Sequence, residues 1–379
     1  MAGLKPMREK FSGWYPKKPE QIAALWDTAI FVPDANVLLH CLRHSTVVRD
    51  QLLRLFETLG DALWIPYQVA LEFQRNRLDV EFGALDAYDA LIKDQEVIVD
   101  KARDRLRQLR AHPTIDVQKE LSALDMFLSD FKGRMEAARG AHPSAEIGGV
   151  LEKLTKLLEN RIGDKWPAEK LVALKKEGED RYSKKTPPGY KDQKKDSGEY
   201  DKFGDLLIWK DMITKAKAAK LPVIFISDDA KEDWWWIHRG RKMGPRPELI
   251  EEFRGETAQD FHIYELGQFL RFAADRFPDI KPNVAKVEES LLADEEARRR
   301  QVNAEAALEH DATLRALEDE RDQIVSALSG TPSGIAAVTG NRATLRARLD
   351  ELNREIQSMS EDADRRKLST DAEQGIARP

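Results

Sequence analysis

At 379 residues, 41% of them hydrophobic and 34% charged, the chain can bury a sizeable core, and one main domain with a polar helical appendage fits that composition. A net charge of −6 excludes a generally basic nucleic-acid binder while leaving room for a local basic patch. The single cysteine, Cys41, excludes an internal disulfide and a cysteine-rich zinc module; with no signal-peptide core and no apolar run near the roughly 18 residues of a membrane span, a soluble cytoplasmic protein is expected.

After a polar arm carrying Trp14 and Tyr15, the run Ala29 to Val32 reads as a strand that delivers Asp34 and Asn36 to the start of a helix. Both residues suit a turn or helix cap, and both suit a ligand site beyond a strand's carboxyl end. RDQLLRLFETLG reads as a helix stopped at Gly60, and ALWIPYQVALEFQRNR as a strand and then a helix with Glu72 in its first turn. Glu72 is there either a carboxylate favoured by the helix dipole or a site acid, beside Arg75 and Arg77, which can hold phosphates. Between about 78 and 180, Leu85, Tyr88, Leu91 and Ile92 recur at spacings of three and four. They predict several amphipathic helices inserted into an α/β domain, with breaks at HPT, RGAHPS and GDKWP. From 181 to 202 that periodicity disappears, and RYSKKTPPGYKDQKKDSGEYDK reads as a mobile lysine-rich loop. It is either simply solvated or sets Lys184, Lys185, Lys191, Lys194 and Lys195 against a nucleic-acid backbone.

The stretch Gly204 to Trp236 organises the rest. Its first half predicts an amphipathic helix opening on Asp205, and VIFIS predicts a central strand buried on both faces. Asp228, Asp229, Glu232 and Asp233 follow at the strand's carboxyl end, where open α/β sheets keep their ligand sites. Asp233 fits a ligand acting through water or a cap on a following helix. Trp234, Trp235 and Trp236 can stack on bases, although aromatic runs more often pack under a loop. PELIEEF reads as a helix, FHIYEL as a strand and QFLRFAADRF as a closing helix, so the α/β unit spans 1–282. From 283 to 379, apolar residues recur in heptad fashion at Leu314, Leu317, Ile324 and Leu328 and again at Leu345, Leu349, Leu352, Ile356 and Met359, interrupted by SGTPSG. That pattern predicts a coiled-coil-like helical hairpin, which would dock on the body or pair with another chain, and a disordered tail.

Asp34, Glu72, Asp205, Asp228 and Asp229 stand at element ends from separate parts of the chain. Acids clustered in low dielectric repel and raise one another's pKa, so such a cluster needs a bound cation or a shared proton. Oxygen donors suit Mg²⁺ or Mn²⁺, and two such ions can stabilise both the attacking and the leaving oxygen of a phosphodiester. The seven histidines show no paired ligand spacing that would suggest zinc, and no phosphate-binding loop, dinucleotide fingerprint or nucleophile elbow is present.

FVPDANVLLHCLRHS, WIPYQVALEFQRNR, TPPGYKDQKKDSGEYDKFGDLLIWKDMITKAKAAKLPVIFISDDAKEDWW and GPRPELIEEF, in that order, resemble the PIN-like domain family found in bacterial proteins, a branch of the PIN nuclease superfamily. The resemblance covers roughly residues 10 to 280. It implies a three-layer α/β/α fold with a central parallel sheet, and a Mg²⁺- or Mn²⁺-dependent nuclease that most often cuts RNA. Carried over residue by residue, it implies Asp34, Glu72, Asp205 and Asp229 as the metal-holding catalytic acids and Asn36 as the small polar partner of the first. The doubled acid leaves Asp228 able to replace or assist Asp229, with Asp233 as an outer ligand. The insertion between Glu72 and Asp205 is far longer than in small toxin-type PIN proteins, so substrate access does not carry across. An endoribonuclease leads, with a DNA nuclease and a non-catalytic nucleic-acid-binding assembly subunit as alternatives. A toxic effector in stress or phage defence is the setting that analogy suggests.

Overall fold

In the computed structural model, three short strands, β1 (Ile30–Pro33), β2 (Val223–Ile226) and β5 (Phe261–Tyr264), form a parallel sheet with β2 in the centre. The description covers residues 6–278 except 45, 110–111, 143, 195–200, 230 and 240, together with 280, 287, 289–290, 293, 310, 312–328 and 342–373. Val32 stands opposite Phe225, and Phe225 opposite Ile263, which brings the carboxyl ends of β1 and β2 to one edge. All of β2 is buried, as its unbroken apolar run predicts. A separate antiparallel ribbon, β3 (Trp235–His238) and β4 (Arg241–Pro245), leaves the sheet just after the acidic segment, with a register shift at Trp236/Ile237.

The helices run in chain order as α1 (Met7–Lys10), α2 (Pro19–Thr28), α3 (Ala35–Arg43), α4 (Thr46–Leu59), α5 (Tyr67–Gln108), α6 (Val117–Gly140), α7 (Ser144–Leu158), α8 (Ala168–Ser183), α9 (Gly204–Ala219), α10 (Pro247–Thr257) and α11 (Leu266–Arg276). Aromatic packing shows how they cover the sheet. On one face Phe31 and Tyr264 meet Trp26 of α2 and Phe269 of α11. On the other, Phe225 and Phe261 meet Trp234, Trp209 of α9 and Phe253 of α10. Helices therefore cover both sides of the parallel sheet. Trp209 is fully buried, and its truncation to alanine would cost roughly 3–5 kcal/mol.

Two local expectations change. The strand expected in ALWIP reduces to isolated bridges, Phe31 to Leu63 and Ile65 to Ile162, because Pro66 cannot donate to a ladder and instead opens α5. Helix α5 runs unbroken for 42 residues, about 63 Å at 1.5 Å per residue. The insertion therefore begins as an extension of the helix that carries Glu72. α6 returns alongside it, with Arg139, Lys132 and Arg103 paired to Asp89, Glu96 and Asp125 in reverse order. HPT, RGAHPS and GDKWP fall at the three following helix junctions.

The chain divides into two compact units, Met1–Ser290 and Leu291–Pro379. Within the second, residues 312–328 are helical, as is Arg342–Glu373. Ile324 and Leu352 are buried, and the guanidinium of Arg348 donates to Glu320 at 2.9 and 3.0 Å. The helix extends to Glu373, into the tail expected to be disordered, while SGTPSG and residues 374–379 lie outside the described residues. Among the described residues no helix is long and apolar enough to cross a membrane.

Candidate active site

Asp34 caps α3 at the end of β1. Its Oδ1 accepts the Ala35 N–H at 2.7 Å, and its Oδ2 accepts the Ser227 hydroxyl at 2.8 Å. The Asp34 N–H in turn donates to the Ile226 carbonyl, so the ends of β1 and β2 are tied by backbone as well as side chain. The cap and site readings of Asp34 are thus one geometry. Ser227 Oγ also accepts the Asp229 N–H at 3.1 Å, linking the first and last acids. Glu72, in the second turn of α5, takes the Gln68 amide on Oε1 at 2.7 Å. A Cβ on Gly204 would lie 2.8 Å from that same oxygen, so the glycine before Asp205 lets α9 pass directly against Glu72.

Lys231 occupies the middle of the remaining acids. Its ammonium lies 2.9 Å from Asp229 Oδ2, 3.0 Å from Asp192 Oδ2 and 3.4 Å from Asp205 Oδ2, and its N–H donates to Asp229 Oδ1 at 2.9 Å. Asp192 reaches this point because the PPGYKD segment is packed rather than mobile: Pro187, Pro188, Gly189 and Asp192 are all buried. Arg181 anchors its start through Glu252 and the Pro187 carbonyl, and Asp233 Oδ2 accepts the Gly189 and Lys191 N–H groups at 3.0 and 3.1 Å. Gly189 has φ +91°, and a Cβ there would collide with Tyr182 Oη and lie 3.2 Å from Asp205 Cβ.

The acids feel one another. Burial, followed by the charges of Glu72 and Asp229, pushes the Asp34 carboxyl up to about 7 against the pull of Ser227 and Ala35. Burial likewise raises Asp205 to about 8, with Asp229, Asp192 and Asp34 adding to it and Lys231 opposing. Burial tends to lower the Lys231 ammonium, but Asp205 and Asp229 outweigh it and raise its pKa. Asp34, Glu72, Asp192, Asp205 and Asp229 thus form one electrostatic cluster. Its oxygen donors and excess negative charge fit a hard divalent cation. Among the described residues no three acid, imidazole or thiolate groups are already arranged as a coordination cage. Lys231 holds three of the carboxylates instead.

Other expected site residues lie elsewhere. Asp228 engages another set of groups, with Oδ2 2.6 Å from His40 Nε2 and Oδ1 accepting the Leu266 N–H at the start of α11. His40 of α3 and His44 at its C-cap, four residues apart, contact through their ring nitrogens at 2.8 Å, a paired spacing contrary to the expectation for the histidines. Asp233 is fully buried and ties down the PPGYKD segment. No helix follows for it to cap, because β3 does. Trp234 and Trp235 are core, whereas Trp236 is half-buried, edge-on to Trp14 at 5.5 Å.

Among the basic residues, Arg75 pairs with Asp201, Arg77 with Gln74, Lys184 with Asp180 and Lys191 with Glu232, and Lys185 is exposed. The Lys194 side chain and Lys195 lie outside the described residues. Asn36 is exposed, on the rim of a cavity of about 470 Å³ between α3 and α5 that Arg43 and Asn76 also line. Ser227, Asp192 and Lys231 were not singled out from sequence, although PPGYKD and SDDAKEDWW contain them. The ribbon was missed as well, and it carries exposed Arg239 and Arg241 out from the acidic segment.

Residues 30–249, more than half of the chain, match the family model described as a PIN like domain. No curated protein and no solved structure gives a significant match. PIN-like domains are part of a nuclease superfamily that generally uses divalent metals and acts on nucleic acid.

Proposed function

The chain belongs to the PIN-like domain family, and from that premise we propose a Mg²⁺- or Mn²⁺-dependent endoribonuclease whose metal ligands are Asp34, Glu72, Asp205 and Asp229. The observation that supports this most directly is the convergence of one buried and three half-buried acids from β1, α5, α9 and the end of β2, two of them pushed to about 7 and 8. Such a cluster is fully ionised at neutral pH only with added positive charge. A bound divalent ion would supply electrostatic stabilisation of charge developing on a phosphodiester. The chain's own residues position the acids. Ser227 holds Asp34 and Asp229 in register, Gln68 orients Glu72, and Asp228 and Asp233 brace the surrounding backbone.

Asn36 and Arg77, with Lys184, Lys185 and Lys191, are the groups we assign to the phosphates; Arg75, Lys194 and Lys195 extend that set. RNA is favoured over DNA on family grounds, and discrimination would come from contacts to the 2′-hydroxyl. The test is cleavage of matched single-stranded RNA and DNA with Mn²⁺ or EDTA. Metal-dependent cutting of RNA supports the proposal, and cutting of DNA with RNA left intact replaces it by a DNA nuclease.

We assign catalysis to the first unit and assembly to the second, residues 291–379. His310 meets the Met359 carbonyl, Glu320 meets Arg348, and Leu328 meets Arg342, a reverse order that supports an antiparallel coiled-coil-like hairpin able to recruit a second copy or another protein. One observation favours a second reading: Lys231 already neutralises part of the acid cluster, as a non-catalytic nucleic-acid-binding assembly subunit would require. Binding without cleavage, unchanged by EDTA, would support it. A cytoplasmic toxic effector in defence or stress response is the setting we propose for the active nuclease.

A further inference from the structure

Three acids of the cluster already share a cation that belongs to the chain. Lys231 touches Asp192, which is brought in by the packed PPGYKD segment, Asp205 at the start of α9, and Asp229 beyond β2. The contact is held from two directions, because the Lys231 N–H donates to Asp229 Oδ1 while the ammonium meets Asp229 Oδ2. The side chain is 29% exposed, so it is neither a surface charge free to swing away nor a group sealed from the site. Asp34 and Glu72 complete the cluster, Asp34 feeling the charges of Glu72 and Asp229. Asp34 is held by Ser227 and Ala35, and Glu72 accepts the Gln68 amide.

A site that works with a pair of divalent ions presents acids to two cation positions. We infer that Lys231 fills one of these positions permanently, so that the site takes a single divalent ion, at Asp34 and Glu72. This inference rests on the metal-dependent reading and narrows it to a one-metal site. Lys231 is a positioning residue here: it fixes Asp205 and Asp229 and excludes a second ion. Asp192 is its counter-charge, which accounts for an acid packed beside the four that the family pattern supplies.

Mn²⁺ titration of the full chain, followed by calorimetry and by electron paramagnetic resonance, counts the bound ions directly. Wild type is expected to bind one ion, lost in Asp34→Asn. Lys231→Met is expected to bind two, and Lys231→Arg, which keeps the charge, to bind one. Two ions in wild type would overturn the inference, and so would a Lys231→Met variant that still binds one ion. If Lys231→Met does not fold, the counts for wild type and Lys231→Arg decide. No Mn²⁺ bound by any of these proteins would contradict the metal-dependent reading, and the role of Lys231 with it.

Discussion

Asp205 illustrates how the site trades stability for charge. A carboxyl whose folded pKa lies above its ordinary value of 3.8 binds a proton more tightly in the folded state, so its contribution to stability is present at low pH and lost as pH rises. For Asp205 that loss spans the window from 3.8 to about 8, and for Asp34 from 3.8 to about 7. Metal-free protein is therefore expected to melt at lower temperature at pH 8 than at pH 5. Asp205→Asn should melt roughly 2–4 °C above wild type at pH 8, and the gap should close towards pH 4. A gap of constant size across pH, measured by scanning calorimetry in EDTA, would show that the charge is not its cause. Ser227→Ala leaves Asp34 Oδ2 and the Asp229 N–H without their shared hydroxyl, a loss of about 1–3 kcal/mol of stability in urea titration.

At the scale of elements, the PPGYKD segment and the β3–β4 ribbon carry separate expectations. Gly189→Ala places a Cβ against Tyr182 Oη at a backbone conformation that L residues rarely adopt. It should destabilise by about 1–3 kcal/mol, and partial proteolysis should then open the chain first within 184–194. The paired change Arg239→Ala and Arg241→Ala removes two exposed charges from the ribbon. It is expected to raise KM roughly tenfold with kcat little changed, and to flatten the salt dependence of binding. Equal KM values for wild type and variant would leave the ribbon outside the substrate path.

How far these elements could be read from the sequence depended on range. β1 with its Asp34 cap and α9 with β2 were legible because each is set by a short run, such as VIFIS after LP, and Asp205 and Asp229 came with them. The role of Lys231 was not legible, because its ammonium is placed by carboxylates at 192, 205 and 229 whose meeting is a tertiary fact. PPGYKD looked like solvated loop since nothing in its composition shows Asp233 and Arg181 pinning it. The ribbon was hidden by its register shift at Trp236/Ile237, which spoils the alternation by which strands are recognised.

For the whole molecule, the division at Ser290 sets where to cut. Residues just past Pro282 still belong to the first unit: Val287 is buried and Ser290 Oγ lies 3.2 Å from His44 Nδ1. A chain ending at Ser290 should fold, keep its Mn²⁺ binding, and be monomeric by light scattering, whereas the full chain should have a larger assembled mass. An unchanged mass would remove assembly from the role of residues 291–379.

The central claim is that acids remote in sequence form one metal-dependent nuclease centre. Its most direct test is cleavage of labelled single-stranded RNA with Mn²⁺ by wild type, Asp34→Asn and Asp205→Asn, each shown to be folded. The expected result is cutting by wild type that EDTA abolishes, and a loss of at least about 100-fold in each variant. Cutting that survives EDTA, or that either variant retains at the wild-type rate, would contradict it.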